Sequence, residues 1–245
     1  MKRKKLEARD RLIVSLDVAG KREAISLCSK ISGKVSTLKL GLELIYSIGP
    51  EIVNTVKSFG YGVMLDAKLF DIPNTVAGAL KAIGRLDVNM VTMHTLGGRA
   101  MLTGAVKTLK EQRENKIRPL LLGVTILTSL DDSDLDLMGF KKNHINSVLD
   151  LAGFAAEAGL DGVVCSAGEV EKIREKTGSD FYIVTPGIRL PEDDAGDQKR
   201  VSTPRDAVSK GADFIVVGRP ITRNKDIGGA VDRYLEEIRG ALKDD

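Results

Sequence analysis

The chain has 245 residues, 42% of them hydrophobic, enough to bury the core of one large domain. Its 37 lysines and arginines stand against 34 aspartates and glutamates, and a net charge of +3 is too balanced for a nucleic-acid groove or membrane surface, so a small-molecule partner is expected. The two cysteines, Cys28 and Cys165, lack any CxxC spacing and indicate neither a disulfide framework nor a zinc site, which fits a reducing cytoplasm, and no apolar run approaches the roughly 18 residues of a membrane span.

Residues 1–10, MKRKKLEARD, carry charge with no apolar segment behind it and read as a solvated tail, leaving 11–245 as a single domain. Short β-branched or Leu-rich runs then recur in chain order. They are RLIVSLD (11–17), STLKLG (36–41), GVMLDAK (62–68), VNMVTMH (88–94), PLLLGVTIL (119–127), DGVVCS (161–166), FYIVTPG (181–187) and DFIVVGR (213–219). Between them, stretches such as TVAGALKAIGRL (75–86) and VLDLAGFAAEAG (148–159) have helical apolar spacing. Eight strand-plus-helix units in about 250 residues predict an α/β fold of the (β/α)8, or TIM barrel, type. No GxGxxG supports the rival doubly wound sheet.

In such a barrel the chemistry gathers at the C-terminal strand ends. There the sequence places Asp17, Lys39, Asp66 and Lys68, then His94, Thr125, Thr128, Ser129, Ser166, Gly187, Arg189, Gly218 and Arg219. Alternating Asp and Lys at one mouth can form a paired charge chain that keeps a lysine ionised and oriented to donate a proton. The last two loops, TPGIR and VGRP, offer glycine amides and two guanidiniums where barrels bind phosphate. The polar segment LPEDDAGDQKR (190–200) between them reads as a lid. Asp71, taken alone, reads as a cap for a helix beginning near Pro73; beside Asp66 and Lys68 it reads as part of the site. His94 reads as a satisfied core histidine, and Cys165 as packing, since no histidine partner for a nucleophile is evident.

DAKLFDIPNT (66–75) resembles the DxKxxDIxxT signature of the orotidine 5′-monophosphate decarboxylase family. LDV, LKLG, LTS, GLDGVVCSA, VTPGIR, GDQKR and VGRPIT resemble further segments of that family, in order along nearly the whole chain. The resemblance implies a barrel homodimer that removes CO2 from orotidine 5′-monophosphate to give UMP, with no metal and no organic cofactor. It implies that Asp17 and Lys39 contact the ribose hydroxyls, that Lys68 donates the proton and that Asp66 lies beside the leaving carboxylate. It further implies that Asp71, Ile72 and Thr75 reach across the dimer and that Thr128 and Ser129 read the pyrimidine. Gln198, Gly218 and Arg219 would grip the phosphate, with Pro186 and Arg189 in the adjoining loop.

Two other functions compete. One is a related metal-dependent sugar-phosphate decarboxylase or synthase sharing the Asp-x-Lys-x-x-Asp core, against which DIPNT, LTS and GDQKR argue. The other is a non-catalytic barrel that binds a phosphate ligand, for which a buried ammonium between carboxylates has no use.

Overall fold

The computed structural model describes residues 6–112, 118–193 and 201–244. Eight parallel strands close on themselves in chain order. They are β1 (Leu12–Ser15), β2 (Thr37–Leu40), β3 (Gly62–Leu69), β4 (Met90–His94), β5 (Leu120–Val124), β6 (Gly162–Val164), β7 (Tyr182–Thr185) and β8 (Phe214–Val217). The predicted (β/α)8 barrel is therefore the architecture. Pairing of β1 with β8 completes the ring and leaves no strand edge. Strand β5 ends three residues before the expected limit of 127, and just past it the amide and the hydroxyl of Thr125 both donate to the carbonyl of Val164, at 3.3 and 2.9 Å.

The helices form because apolar residues recur at helical spacing. In Pro73–Ile83, Val76, Leu80 and Ile83 bury one face, and Pro73 opens the helix with the backbone angle its ring imposes. These faces and the outward residues of the strands make one continuous core. A second, smaller core fills the barrel: Ile13, Met64, Met90, Leu122, Val184, Phe214 and Val216. It plugs the lower part of the barrel, so the polar mouth above stands on a solid apolar floor.

Three side chains below the even strands lock the sheet from the N-terminal end. Asn89 accepts the Val63 amide, Asp161 the Leu121 amide and Asp213 the Ile183 amide, each at 2.8 Å. Arg118 and Arg174 neutralise the two aspartates. Each contact ties the start of an even strand to the odd strand before it.

The tail expected over 1–10 is shorter than that in its described part. Ala8–Arg11 is a helix, Glu7 and Asp10 cap it reciprocally, and Leu6 packs onto the interior core. Arg11 donates to the carbonyl of Ala212 at 3.0 Å and Asp10 accepts the Ser36 hydroxyl at 2.6 Å. The segment closes the bottom of the barrel, which a solvated tail would not do. Among the described residues no helix is long and apolar enough to cross a membrane.

Candidate active site

The site begins with an irregularity in β3. Leu65 pairs with Val91 and the next pair is Leu69 with Met93, so three residues of β3, from Asp66 to Lys68, face the one residue Thr92 on β4. The bulge turns Lys68 into the left-handed region, with φ 46°, a conformation that costs a non-glycine residue on the order of 1 kcal/mol or more. Thr92, fully buried, spans the gap: its hydroxyl accepts the Lys68 amide at 2.9 Å and donates to Asp66 Oδ1 at 2.9 Å.

Asp66 is the centre of the charge row. Its Oδ2 receives Lys68 Nζ at 2.8 Å and Lys39 Nζ at 3.3 Å, and Lys39 reaches on to Asp17 Oδ1 at 3.6 Å. The Ser15 hydroxyl donates to the same Asp17 oxygen at 2.6 Å. The predicted alternation of carboxylate and ammonium is thus assembled from the ends of β1, β2 and β3. Burial pushes the Asp66 carboxyl up, but the Lys39 and Lys68 ammoniums and the hydrogen bonds from Lys68 and Thr92 outweigh it and hold the group below the ordinary carboxylate value. Asp66 is an anion fixed beneath two cations.

A cavity of about 250 Å³ opens over this row. Of the predicted residues it is lined by Asp17, Lys39, Asp66, Lys68, Thr128, Pro186, Arg189, Gly218 and Arg219. Gly218 has a steric reason: a Cβ there would lie 2.5 Å from Asp17 Oδ2, so any side chain at this position would push the carboxylate from its place in the row. Arg219 follows on the turn Arg219–Thr222, while Arg189 is almost wholly buried and donates to the carbonyl of Ile188 at 2.8 Å. Two guanidiniums and the glycine turns of the last two βα loops therefore face the charge row across one cavity.

Other expected residues lie elsewhere. Ser129 is exposed and does not line the cavity, although Thr128 beside it does. Asp71, Ile72 and Thr75 are exposed and are not part of its lining. Asp71 is not the helix cap: Ile72 holds that position without a side-chain bond, and the Asp71 carboxylate accepts the Ile72 amide at 2.6 Å. Gln198 and most of the 190–200 segment lie outside the described residues. At the root of that segment, the Leu190 amide donates to Asp193 at 2.9 Å, and the Tyr234 hydroxyl also bonds Asp193.

His94 differs from the satisfied core histidine expected. Its ring packs on Phe70 with centroids 5.7 Å apart, and its buried Nδ1 has no hydrogen-bond partner among the described residues. Burial first, and then the Lys68 ammonium, push its pKa below the usual value against the pull of Asp66, which keeps the ring neutral. Sequence reasoning missed Ser15 and Thr92. Both were detectable as polar residues in the inward register of apolar strands, two positions beyond the floor residues Ile13 and Met90. Among the described residues, no group of three or more His, Cys, Asp or Glu is arranged to hold a metal ion.

Comparison with known proteins gives a consistent result. The sequence profile of the "Orotidine 5'-phosphate decarboxylase / HUMPS family" matches residues 10–234. The chain is 47% identical over 234 residues to the orotidine 5′-phosphate decarboxylase of Carboxydothermus hydrogenoformans, covering 95% of this chain and 98% of that protein. It is 44% identical over 241 residues to the enzyme of the same name from Syntrophotalea carbinolica, covering 98% and 99%. Among solved structures it is similar to the orotidine 5′-phosphate decarboxylase of Lactobacillus acidophilus, with TM-score 0.83, 36% identity and coverage of 94% and 99%.

The electrostatics of Asp66 set a pH dependence. A carboxyl whose folded pKa is depressed contributes its full stability above its unfolded value, near 3.8, and loses it as pH falls through the lower folded value. Asp66→Asn should therefore cost about 2 kcal/mol at neutral pH by leaving Lys39 and Lys68 without their shared anion. The gap between wild type and variant in urea unfolding should stay constant from pH 7 to about 4 and close only below that. A gap that narrows between pH 7 and 5 would mean that the carboxyl is raised, not depressed.

Proposed function

The chain belongs to the orotidine 5′-phosphate decarboxylase / HUMPS family, and from that footing we propose that it converts orotidine 5′-monophosphate to UMP and CO2 in the cytoplasm, as the last step of de novo pyrimidine nucleotide synthesis, without metal or organic cofactor. The observation that carries this reading is the row Asp17, Lys39, Asp66, Lys68 facing two guanidiniums across one cavity. The row supplies a cation to the reacting carbon, and the guanidiniums supply a grip for the phosphate.

The chemistry makes that cation necessary. Breaking the bond from C6 to the carboxylate leaves the electron pair on C6 in the plane of the ring, where no adjacent carbonyl or imine can delocalise it. Stabilisation must come from a preorganised positive charge. In our reading the Lys68 ammonium lies against C6, stabilises the developing pair and transfers a proton to it; the resulting amine regains its proton from water. Asp66, held ionised, faces the substrate carboxylate, disfavours the bound reactant and keeps Lys68 charged. Lys39 and Asp17 take the ribose hydroxyls, and Thr128 and Ser129 the pyrimidine. Arg219, Gly218, Arg189, Pro186 and Gln198 hold the phosphate end, so that binding energy far from C6 organises the site around it.

We further propose that two copies of the chain build each site together. Asp71, Ile72 and Thr75 are exposed and do not line the cavity of their own chain. The helix Leu42–Ile48 after β2 exposes Leu42 and Tyr46, and the segment after β3 exposes Phe70 and Ile72, with Tyr46 85% and Ile72 67% exposed, apolar side chains that a second copy across a two-fold axis would cover. One loop then serves two sites, Asp66 and Lys68 inward and Asp71 to Thr75 across the interface.

Purified protein given orotidine 5′-monophosphate should abolish the orotate-type ultraviolet absorbance and release UMP, at the same rate with and without EDTA. No turnover would refute the activity, and turnover lost to EDTA and restored by Mg²⁺ would favour a metal-dependent relative. Inactive Lys68→Ala and Asp71→Ala dimers, mixed and allowed to exchange subunits, should recover about a quarter of wild-type sites, because each hybrid has one site with both defects and one with neither. Activity that stays at the parental level after hybrids are demonstrated by differential tagging would assign Asp71 to its own chain.

A further inference from the structure

We infer that Thr92 is a positioning residue for the Lys68 chemistry: its one hydroxyl replaces the strand pairing that the β3 bulge breaks, and so fixes both the backbone of Lys68 and the carboxylate that orients its ammonium. The inference rests on the proposed role of Lys68. Three residues of β3 face Thr92 alone, so the regular ladder has no carbonyl on β4 for the Lys68 amide. Thr92 Oγ1 accepts that amide at 2.9 Å. With its hydrogen the same hydroxyl donates to Asp66 Oδ1 at 2.9 Å, leaving Oδ2 to face Lys68 Nζ at 2.8 Å and Lys39 Nζ at 3.3 Å. The donor and the acceptor functions of one hydroxyl are both in use, and an isosteric valine offers neither.

The direction of each bond matters. An amide accepted at Lys68 holds φ at 46°, where the side chain leaves the strand toward the cavity. A hydroxyl donated to Oδ1 sets the rotation of the Asp66 carboxylate and thereby the position of Oδ2 and of the ammonium bonded to it. Thr92 does not itself line the cavity, although both of its hydrogen-bond partners do. Its effect on the reaction passes through Lys68 and Asp66, and it is fully buried within the barrel, where valine would fit the same space.

The test compares Thr92→Val, which keeps the shape and removes the hydroxyl, with Thr92→Ser, which keeps the hydroxyl and removes the methyl. Thr92→Val should lower kcat for orotidine 5′-monophosphate about 10- to 100-fold while KM changes less than about 3-fold, as expected when a reacting group is displaced and substrate binding is not. Thr92→Ser should stay within about 3-fold of wild type. Crystal structures of the variants give a readout free of turnover: in Thr92→Val the Lys68 φ should leave the left-handed region and Nζ should part from Asp66, and in Thr92→Ser both should stay. Unchanged Lys68 geometry in Thr92→Val, or a serine variant as impaired as the valine one, overturns the inference. An idle wild-type protein, or full activity in Lys68→Ala, would instead refute the reading of the site, and the Lys68 geometry in Thr92→Val would still decide the role of Thr92.

Discussion

The carboxylate of Asp66 between the ammoniums of Lys39 and Lys68 is the interaction on which the rest of the site depends. Two cations at the mouth of a barrel repel one another and are costly to desolvate; an anion that bonds both makes the arrangement stable. Asp66 can do this because burial, which would otherwise neutralise it, is outweighed by those same cations and by the hydrogen bonds it accepts. The pairing is mutual, so removing any member exposes the others to the full cost of burial. The Lys68 ammonium is aimed by its contact with the Asp66 carboxylate.

The fold is arranged to deliver that contact. An apolar floor of Ile13, Met64, Met90 and their neighbours fills the lower barrel, and the next inward positions on β1, β2, β3 and β4 carry Ser15, Lys39, Asp66 and Thr92. Above the floor, every group in the row has a partner in the row. At the Asp17 end of the row Gly218 yields space to the carboxylate, and Arg189 and Arg219 line the same cavity. Strain at Lys68 is the local cost of this layout, and it falls at the residue to which we assign the chemistry.

Much of this was legible in the sequence, and the reasons are specific. Apolar runs of strand length separated by helical spacing reveal eight units, and the convergence of C-terminal strand ends in a barrel places Asp17, Lys39, Asp66 and Lys68 at one mouth. The bulge was not legible, because no glycine or proline marks it: Asp66, Ala67 and Lys68 look like three ordinary strand residues until their register with Thr92 is known. Strand β5 was drawn too long because Ile126 and Leu127 continue its apolar pattern past its end at Val124. The short first helix was hidden by basic residues, although Glu7 and Asp10 carry the spacing of a reciprocal cap. Asp71 taken alone reads as a cap because it precedes Pro73, and the structure sets that alternative aside: Ile72 occupies the cap position, with no side-chain bond, and Pro73 opens the helix.

The central claim is that Lys68 stabilises and protonates an anion at C6, and the reverse reaction reports on that step directly. UMP incubated with the enzyme in D2O should exchange its C6 hydrogen for deuterium, because the same lysine that delivers a proton to the carbanion removes one from the product. NMR of the recovered UMP should show this exchange with wild type and its loss in Lys68→Ala, with UMP binding by the variant confirmed separately. Exchange that continues undiminished without the Lys68 ammonium would contradict the account.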